Sequence, residues 1–170
     1  QYRRADDEGL TAQIARSMVV AKIANCRTVL QRAVRDRPQD GCASRLLEAA
    51  AALAQHLLDL EGEAPLDTVR GKEGDAARRY FSVFDDLITT QKESFFFRER
   101  SRRPPLDNMN ALLSFIYTLI AHDVSAALEG VGLDPAVGFL HRDRPGRPGL
   151  ALDLMEELRP YLADRLALSL

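Results

Sequence analysis

Apolar residues recur along this chain at three- and four-residue steps, and no stretch alternates convincingly with period two. The pattern predicts helices and no sheet. From about residue 8 to 36, Ala15, Val19, Ile23, Cys26, Leu30 and Ala33 mark one face of a long first helix. RPQDG (37–41) breaks it, and the alanine- and leucine-rich segment 43–62 predicts a second helix. GEAPLDTVRGKEG (62–74) reads as a linker. A third helix is predicted from about Glu73 to Gln91, with Ala77, Tyr80, Phe84, Leu87 and Ile88 facing inward. RERSRRPPLD (98–107) reads as a basic loop whose Asp107 N-caps a fourth helix, which Gly130 ends. Residues 131–149 are irregular. A fifth helix is predicted from near Leu150 to the end of the chain, with Pro160 kinking or breaking it. The fold class that follows is all-α: an irregular multi-helix domain whose unequal helices and long loops exclude a simple up-down bundle.

At 170 residues, 46% hydrophobic and 28% charged, the chain can bury one sizeable core. No secretory leader pattern opens it, and no apolar run looks long enough to span a bilayer, so a membrane role is not expected. Cys26 and Cys42 lack metal-type spacing and read as reduced thiols of a cytoplasmic protein. The chain begins with Gln1 and ends inside an apolar-periodic stretch, which reads as a piece of a larger protein.

The net charge of -2 gives no global sign of a nucleic-acid partner, but the distribution does. Twenty of the 23 basic residues are arginine, the side chain best suited to bidentate phosphate contacts. They gather at Arg98, Arg100, Arg102 and Arg103, and again at Arg142, Arg144 and Arg147. Each group is a local positive patch.

The fifth helix carries Asp153, Glu156 and Glu157 on an otherwise apolar segment whose inward stripe reads Ala151, Leu154, Met155, Leu158 and Leu162. Their i, i+3 and i+4 spacing puts all three acids on one side. Acids buried together repel, and a divalent cation is one way to offset the cost. His141 lies in the loop feeding this helix, where imidazole and carboxylates together suit Mn²⁺, Zn²⁺ or a mainly oxygen-bound Mg²⁺. By spacing alone, a loop histidine near acids is more often structural. Glu73 extends the Ala77–Tyr80–Phe84 stripe backward by one turn, amid Arg70, Lys72, Arg78 and Arg79. It fits equally a salt-bridged helix start and a metal ligand beside a phosphate track. Asn110 and Tyr117 share one face of the fourth helix and are possible site-lining residues. His56 and His122 have no partner motif. SFFF (94–97) reads as core or, where exposed, as a subunit contact.

RGKEGDAARRYF, RRPPLDNMNALLSFIYTLI, GLDPAVGFLHRDRPGRPGLALDLMEELRP and ADRLAL, together with QIARSMVVAKIANCRTVLQRAVRD, resemble the CRISPR-associated spacer-acquisition endonuclease/integrase, the Cas-one family, in its type I-C-like branch. The resemblance spans most of the chain. It implies that residues 1–170 are the family's helical catalytic domain, incomplete at both ends and without the family's N-terminal β domain. It implies a metal-dependent DNA endonuclease and integrase that inserts spacer DNA into a CRISPR array by transesterification, in antiviral defence. The resemblance assigns Glu73, His141 and Glu156 as ligands of Mg²⁺ or Mn²⁺, and Asp153 as an assisting acid. Glu156 departs conservatively from an aspartate in many relatives. Gly149 stands where many close relatives have serine, which weakens a helix N-cap only modestly. Arg78, Arg79, Arg102, Arg103, Arg142, Arg144 and Arg147 are then candidate DNA contacts. The implied partners are branched or double-stranded DNA, a second copy in a homodimer, a Cas-two subunit and a Cas-four nuclease. Two alternatives stay open: a non-catalytic helical DNA-binding or scaffolding module, and a metallohydrolase of small phosphate esters.

Overall fold

The computed structural model describes residues 1–142 and 144–170, and among them every regular element is helical. A short helix α1 (Tyr2–Ala5) leads into the long α2 (Glu8–Asp36). The Asp7 carboxylate caps α2 by accepting the Leu10 N–H at 2.9 Å, satisfying one of the orphan donors of a helix start. α3 (Ala43–Asp59) follows the predicted break. α2 is the central element: α3, α4 (Leu66–Phe81), α6 (Gly149–Leu158) and the turn after α6 all pack on it. Its inner face runs through Ala15, Val19, Ile23, Cys26 and Leu30, all buried. Burial of each large aliphatic side chain there contributes about 1.5–3 kcal/mol.

α4 differs from the expectation. It begins at Leu66, inside the predicted linker, and ends at Phe81 rather than Gln91. Pro65 stands at its N-cap, where a missing N–H costs nothing, and Gly71 and Gly74 are carried within the helix. The chain then tightens into a 3-10 turn, Phe84–Leu87. Phe81, Phe84 and Phe97 close over Tyr80 with ring centroids 4.9–5.7 Å apart. This aromatic packing gathers residues from the end of α4, the 3-10 turn and the following loop. Glu73 therefore sits mid-helix, and the helix-start reading of it falls. Phe97 is core and Phe95 is half-buried, so Phe96 alone of the three SFFF phenylalanines is exposed. Arg98 lies over that ring at 5.3 Å.

α5 (Asn108–Gly130) has the predicted bounds, and Asp107 caps it by accepting the Asn110 N–H at 2.6 Å. By length and composition this helix is apolar enough to cross a membrane, contrary to the sequence-based expectation. Its few charged residues all lie in its last third. Its inner face, Met109, Leu113, Ile116, Tyr117 and Ile120, packs in the core of this domain against α6 and the segments after it.

Beyond α6, Pro160 does not break the helix. It widens one turn into a π segment, Arg159–Asp164, before α7 (Arg165–Ser169). A proline lacks the N–H for an i→i−4 bond, and a π turn accommodates the loss. The wider turn rotates the register: Leu162, expected in the apolar stripe, is 47% exposed, while Ala163 and Asp164 are buried.

Candidate metal centre and basic groove

Three of the four predicted site acids and bases are organised around α6. Asp153 is fully buried, and its carboxylate accepts the backbone N–H groups of Phe139 (2.6 Å), Leu140 (2.9 Å) and His141 (3.0 Å). It also meets His141 Nδ1 at 2.6 Å. With Nδ1–H donating to a carboxylate, the lone pair of the neutral ring lies on Nε2. Nε2 is 3.9 Å from Glu156 Oε1. Asp153 thus fixes the loop and the ring, and Glu156 stands where the ring points.

The loop is seated by close backbone approach. Gly138 packs on Gly149, and a Cβ on Gly149 would lie 2.8 Å from the Ala136 carbonyl oxygen. Gly149 is the first residue of α6 and not its cap, and Leu150 N–H is taken up by the Pro135 carbonyl at 2.8 Å. The expectation of a weakened serine cap is thereby corrected: this position has no room for a side chain. Gln1 and Tyr2 bind Asp134 and Val137 at the far side of the same loop. From α4, Arg70 Nε donates to the Leu140 carbonyl at 2.7 Å, tying the histidine loop to the helix that carries Glu73.

Glu73 and Glu156, 83 positions apart in sequence, meet at a residue the motifs did not single out. Lys22 of α2 is 7% exposed and places its ammonium in contact with Glu73 Oε1 and 2.5 Å from Glu156 Oε2. Glu156 Oε1 is held by Arg159. Burial works to raise the Glu156 pKa, but Lys22 and Arg159 overcome it and bring the group down to about 2. For Lys22, burial opposes the charge, yet Glu156 and Glu73 leave its pKa above the ordinary lysine value. The expected trio of acids on one face is a pair: Asp153 and Glu156 are buried, while Glu157 is half-buried to the side, its carbonyl taken by Asn25. Lys22 occupies the inward stripe between Val19 and Cys26.

The donor set fits a hard divalent ion: two carboxylates and one neutral imidazole nitrogen. Glu156 Oε2 is buried and makes no hydrogen bond of good geometry, even beside Lys22. Among the described residues, no three histidine, cysteine or acidic side chains stand close enough to chelate one ion as they are. Two of the donors are gathered on an ammonium instead.

Beside this centre lies an open groove of about 400 Å³ lined by Arg100, Arg102, Arg103, Tyr117, His122 and Arg159, with Leu152 and Met155 of α6 at its floor. Tyr117 stacks between Arg100 and Arg159, whose guanidinium carbons lie 5.3 and 5.0 Å from its ring centre. Its hydroxyl donates to buried Asp164 at 2.6 Å. Burial raises the Asp164 pKa to about 6 against the pull of Tyr117, Tyr80, Arg159 and Lys22. Arg102 and Arg103 are exposed on the groove, as are Arg142 and Arg144 on the histidine loop; Arg147 is half-buried there. Arg142 lies 3.7 Å from Asp67, and Arg78 is ion-paired to Asp75. Arg79 is half-buried with an unpaired Nε. Asn110 does not line the site: it is fully buried, and its amide binds Arg100, Ser101, Glu99 and Asp107, knitting the basic loop to α5. Sequence reasoning misses Arg159 and Asp164 because the π turn, invisible to helical periodicity, decides which of these residues face inward.

A profile of the family described as CRISPR associated protein Cas1 matches residues 1–170. A CRISPR-associated endonuclease Cas1 from Chlorobaculum tepidum is 54% identical over 170 residues, covering 100% of this chain and 50% of that protein. An exonuclease Cas4/endonuclease Cas1 fusion from Geobacter sulfurreducens is 43% identical over 169 residues, 96% of this chain and 30% of the fusion. Among solved structures, a chain of a Cas6-RT-Cas1–Cas2 complex superposes with a TM-score of 0.84 at 28% identity, over 99% of this chain and 18% of that one. A casposase bound to its integration product gives 0.80 at 26% identity, over 99% and 45%. The fold is thus of the all-helical class that occurs in Cas1 proteins and in a casposase. The chain belongs to the Cas1 family of CRISPR-associated proteins. It spans half the length of the Chlorobaculum relative.

Proposed function

We propose that this chain is the helical catalytic part of a divalent-metal-dependent DNA endonuclease and integrase, which inserts spacer DNA into a CRISPR array by transesterification. The observation that carries this reading is the convergence of Glu73 and Glu156 on one cationic position, with His141 Nε2 adjoining Glu156, next to an arginine-lined groove. Glu73, Glu156 and His141 Nε2 would hold Mg²⁺ or Mn²⁺, which when bound supplies charge stabilisation to a phosphoryl oxygen and lowers the pKa of the attacking hydroxyl. The chain's own residues do the rest. Asp153 orients the imidazole through Nδ1 and leaves Nε2 facing Glu156. Arg102 and Arg103, with Arg142, Arg144 and Arg147, would bind DNA phosphates and align the strand for in-line attack. Arg78 and Arg79 are further contacts of this kind.

The similarity to an endonuclease Cas1 and to a casposase on its product supports the activity. The Cas1–Cas2 complex and the Cas4/Cas1 fusion support Cas2 and Cas4 partners. The proposed working unit is a homodimer acting on branched DNA in the cytoplasm. In the full-length protein, Glu73→Ala, His141→Ala and Glu156→Ala should each abolish Mn²⁺-dependent cleavage and integration of branched DNA. Wild-type rates in all three would refute the assignment.

One observation favours the second reading, a non-catalytic DNA-binding module. Lys22 already neutralises the two carboxylates, as in a purely structural ion network. DNA binding indifferent to EDTA, with no strand cleavage in Mn²⁺, would establish that reading.

A further inference from the structure

Lys22 has no place in the chemistry above, yet it sits at its centre. We infer that the Lys22 ammonium is the resident counter-cation of the site, and that a divalent ion reaches Glu73 and Glu156 only by displacing it. This rests on the metal-site reading of those carboxylates.

Three observations support it. The ammonium touches both acids at once, so it lies where an ion bridging them would lie. It is held from α2, the element against which both acid-bearing helices α4 and α6 pack, so its position is set by the core. Arg159 already supplies a second positive charge to Glu156. A dication added at contact distance from both would face strong like-charge repulsion, and one must leave. Lysine is the one able to do so, because its four-carbon stem is flexible and its head is a compact, strongly hydrated charge. The guanidinium of Arg159 is instead packed over the Tyr117 ring.

The arrangement has two consequences. The carboxylates stay together in the metal-free protein without unfolding the core, which loose acids would strain. The same ammonium weakens the metal site by competing for it.

The test compares wild type with Lys22→Met, a neutral side chain of similar length, in the full-length protein. Mn²⁺ affinity is measured by calorimetry and by loss of the free-ion EPR signal, and melting temperature is measured in EDTA and in saturating MnCl₂. Lys22→Met should bind Mn²⁺ about tenfold more tightly or better, a difference of about 1.4 kcal/mol. It should melt lower than wild type in EDTA, and gain more on addition of Mn²⁺. Wild-type binding with equal or weaker affinity in Lys22→Met would overturn the proposal while leaving the metal site intact. Absence of Mn²⁺ binding in both would overturn the metal-site reading and this one with it. Should Lys22→Met not fold in EDTA, dilution from urea into MnCl₂ decides: recovery of native circular dichroism supports displacement, and failure to recover, repeated with Lys22→Gln, contradicts it.

Discussion

Asp153 and His141 are joined at 2.6 Å through Nδ1, and the same carboxylate accepts three consecutive backbone N–H groups ending at His141. One acid therefore positions both the ring and the peptide that carries it. Asp153→Asn replaces an acceptor by a donor facing buried donors, each costing about 1–3 kcal/mol when unpaired. The variant should lose about 3 kcal/mol or more in urea unfolding. Its divalent-metal affinity should fall about 10–100-fold, the usual loss when a group orienting a metal-binding histidine is removed. Wild-type stability in Asp153→Asn would contradict the seating described for the loop.

Gly149 tests the same seating without touching a polar group. Its added Cβ would meet the Ala136 carbonyl oxygen at 2.8 Å, a backbone atom that cannot swing aside. Gly149→Ser, although it offers a helix start a better capping residue, should destabilise the protein by about 1–3 kcal/mol, the cost of forcing atoms into a packed core. A stabilised variant in thermal melting would show that the loop gives way.

Asp164 provides a pH signature. Its folded pKa, raised by burial to about 6 from an ordinary 3.8, means that the folded chain holds this proton more tightly than the unfolded chain. The stability it contributes is full below about pH 4 and is lost as pH rises through about 6. The loss amounts to about 2–3 kcal/mol. Asp164→Asn cannot titrate, so its stability relative to wild type should improve by about that amount between pH 4 and pH 7 in urea melts. Parallel pH profiles would contradict the raised value.

Arg102 and Arg103 are exposed on the groove. Replacing both by alanine should weaken DNA binding at low salt and reduce the slope of log affinity against log salt by about 2, one for each phosphate no longer neutralised. Mn²⁺ affinity should stay unchanged. An unaltered slope would move the DNA path away from this groove, toward Arg142, Arg144 and Arg147.

Much of the fold is legible in the sequence because local signals agree with packing. Asp107 caps the helix it precedes, and the stripe from Ala15 to Leu30 is the buried face of α2. The departures share a cause in tertiary packing. Gly71, Gly74 and Pro65 make 62–74 look like a linker, yet the buried Val69 and the Arg70 bond to the histidine loop hold it helical. Pro160 signals a break, and the core retains the helix by widening a turn, which turns Leu162 out and Asp164 in. The candidate ligands are visible from residue type and motif. Lys22 is hidden because a single lysine in an apolar stripe reads as a residue whose charge escapes to solvent. Asn110 misleads because sharing a helix face with Tyr117 does not reveal that its amide is already fully bonded.

The central claim is that Glu73, His141 and Glu156 ligate one divalent ion. It is tested most directly by the anomalous difference map of full-length crystals soaked in MnCl₂. The account predicts a single strong peak bonded to Glu73, to His141 Nε2 and to Glu156, with the Lys22 ammonium moved off it. A peak bound elsewhere, or none there at saturating Mn²⁺ with Lys22 still bridging the two carboxylates, would contradict it.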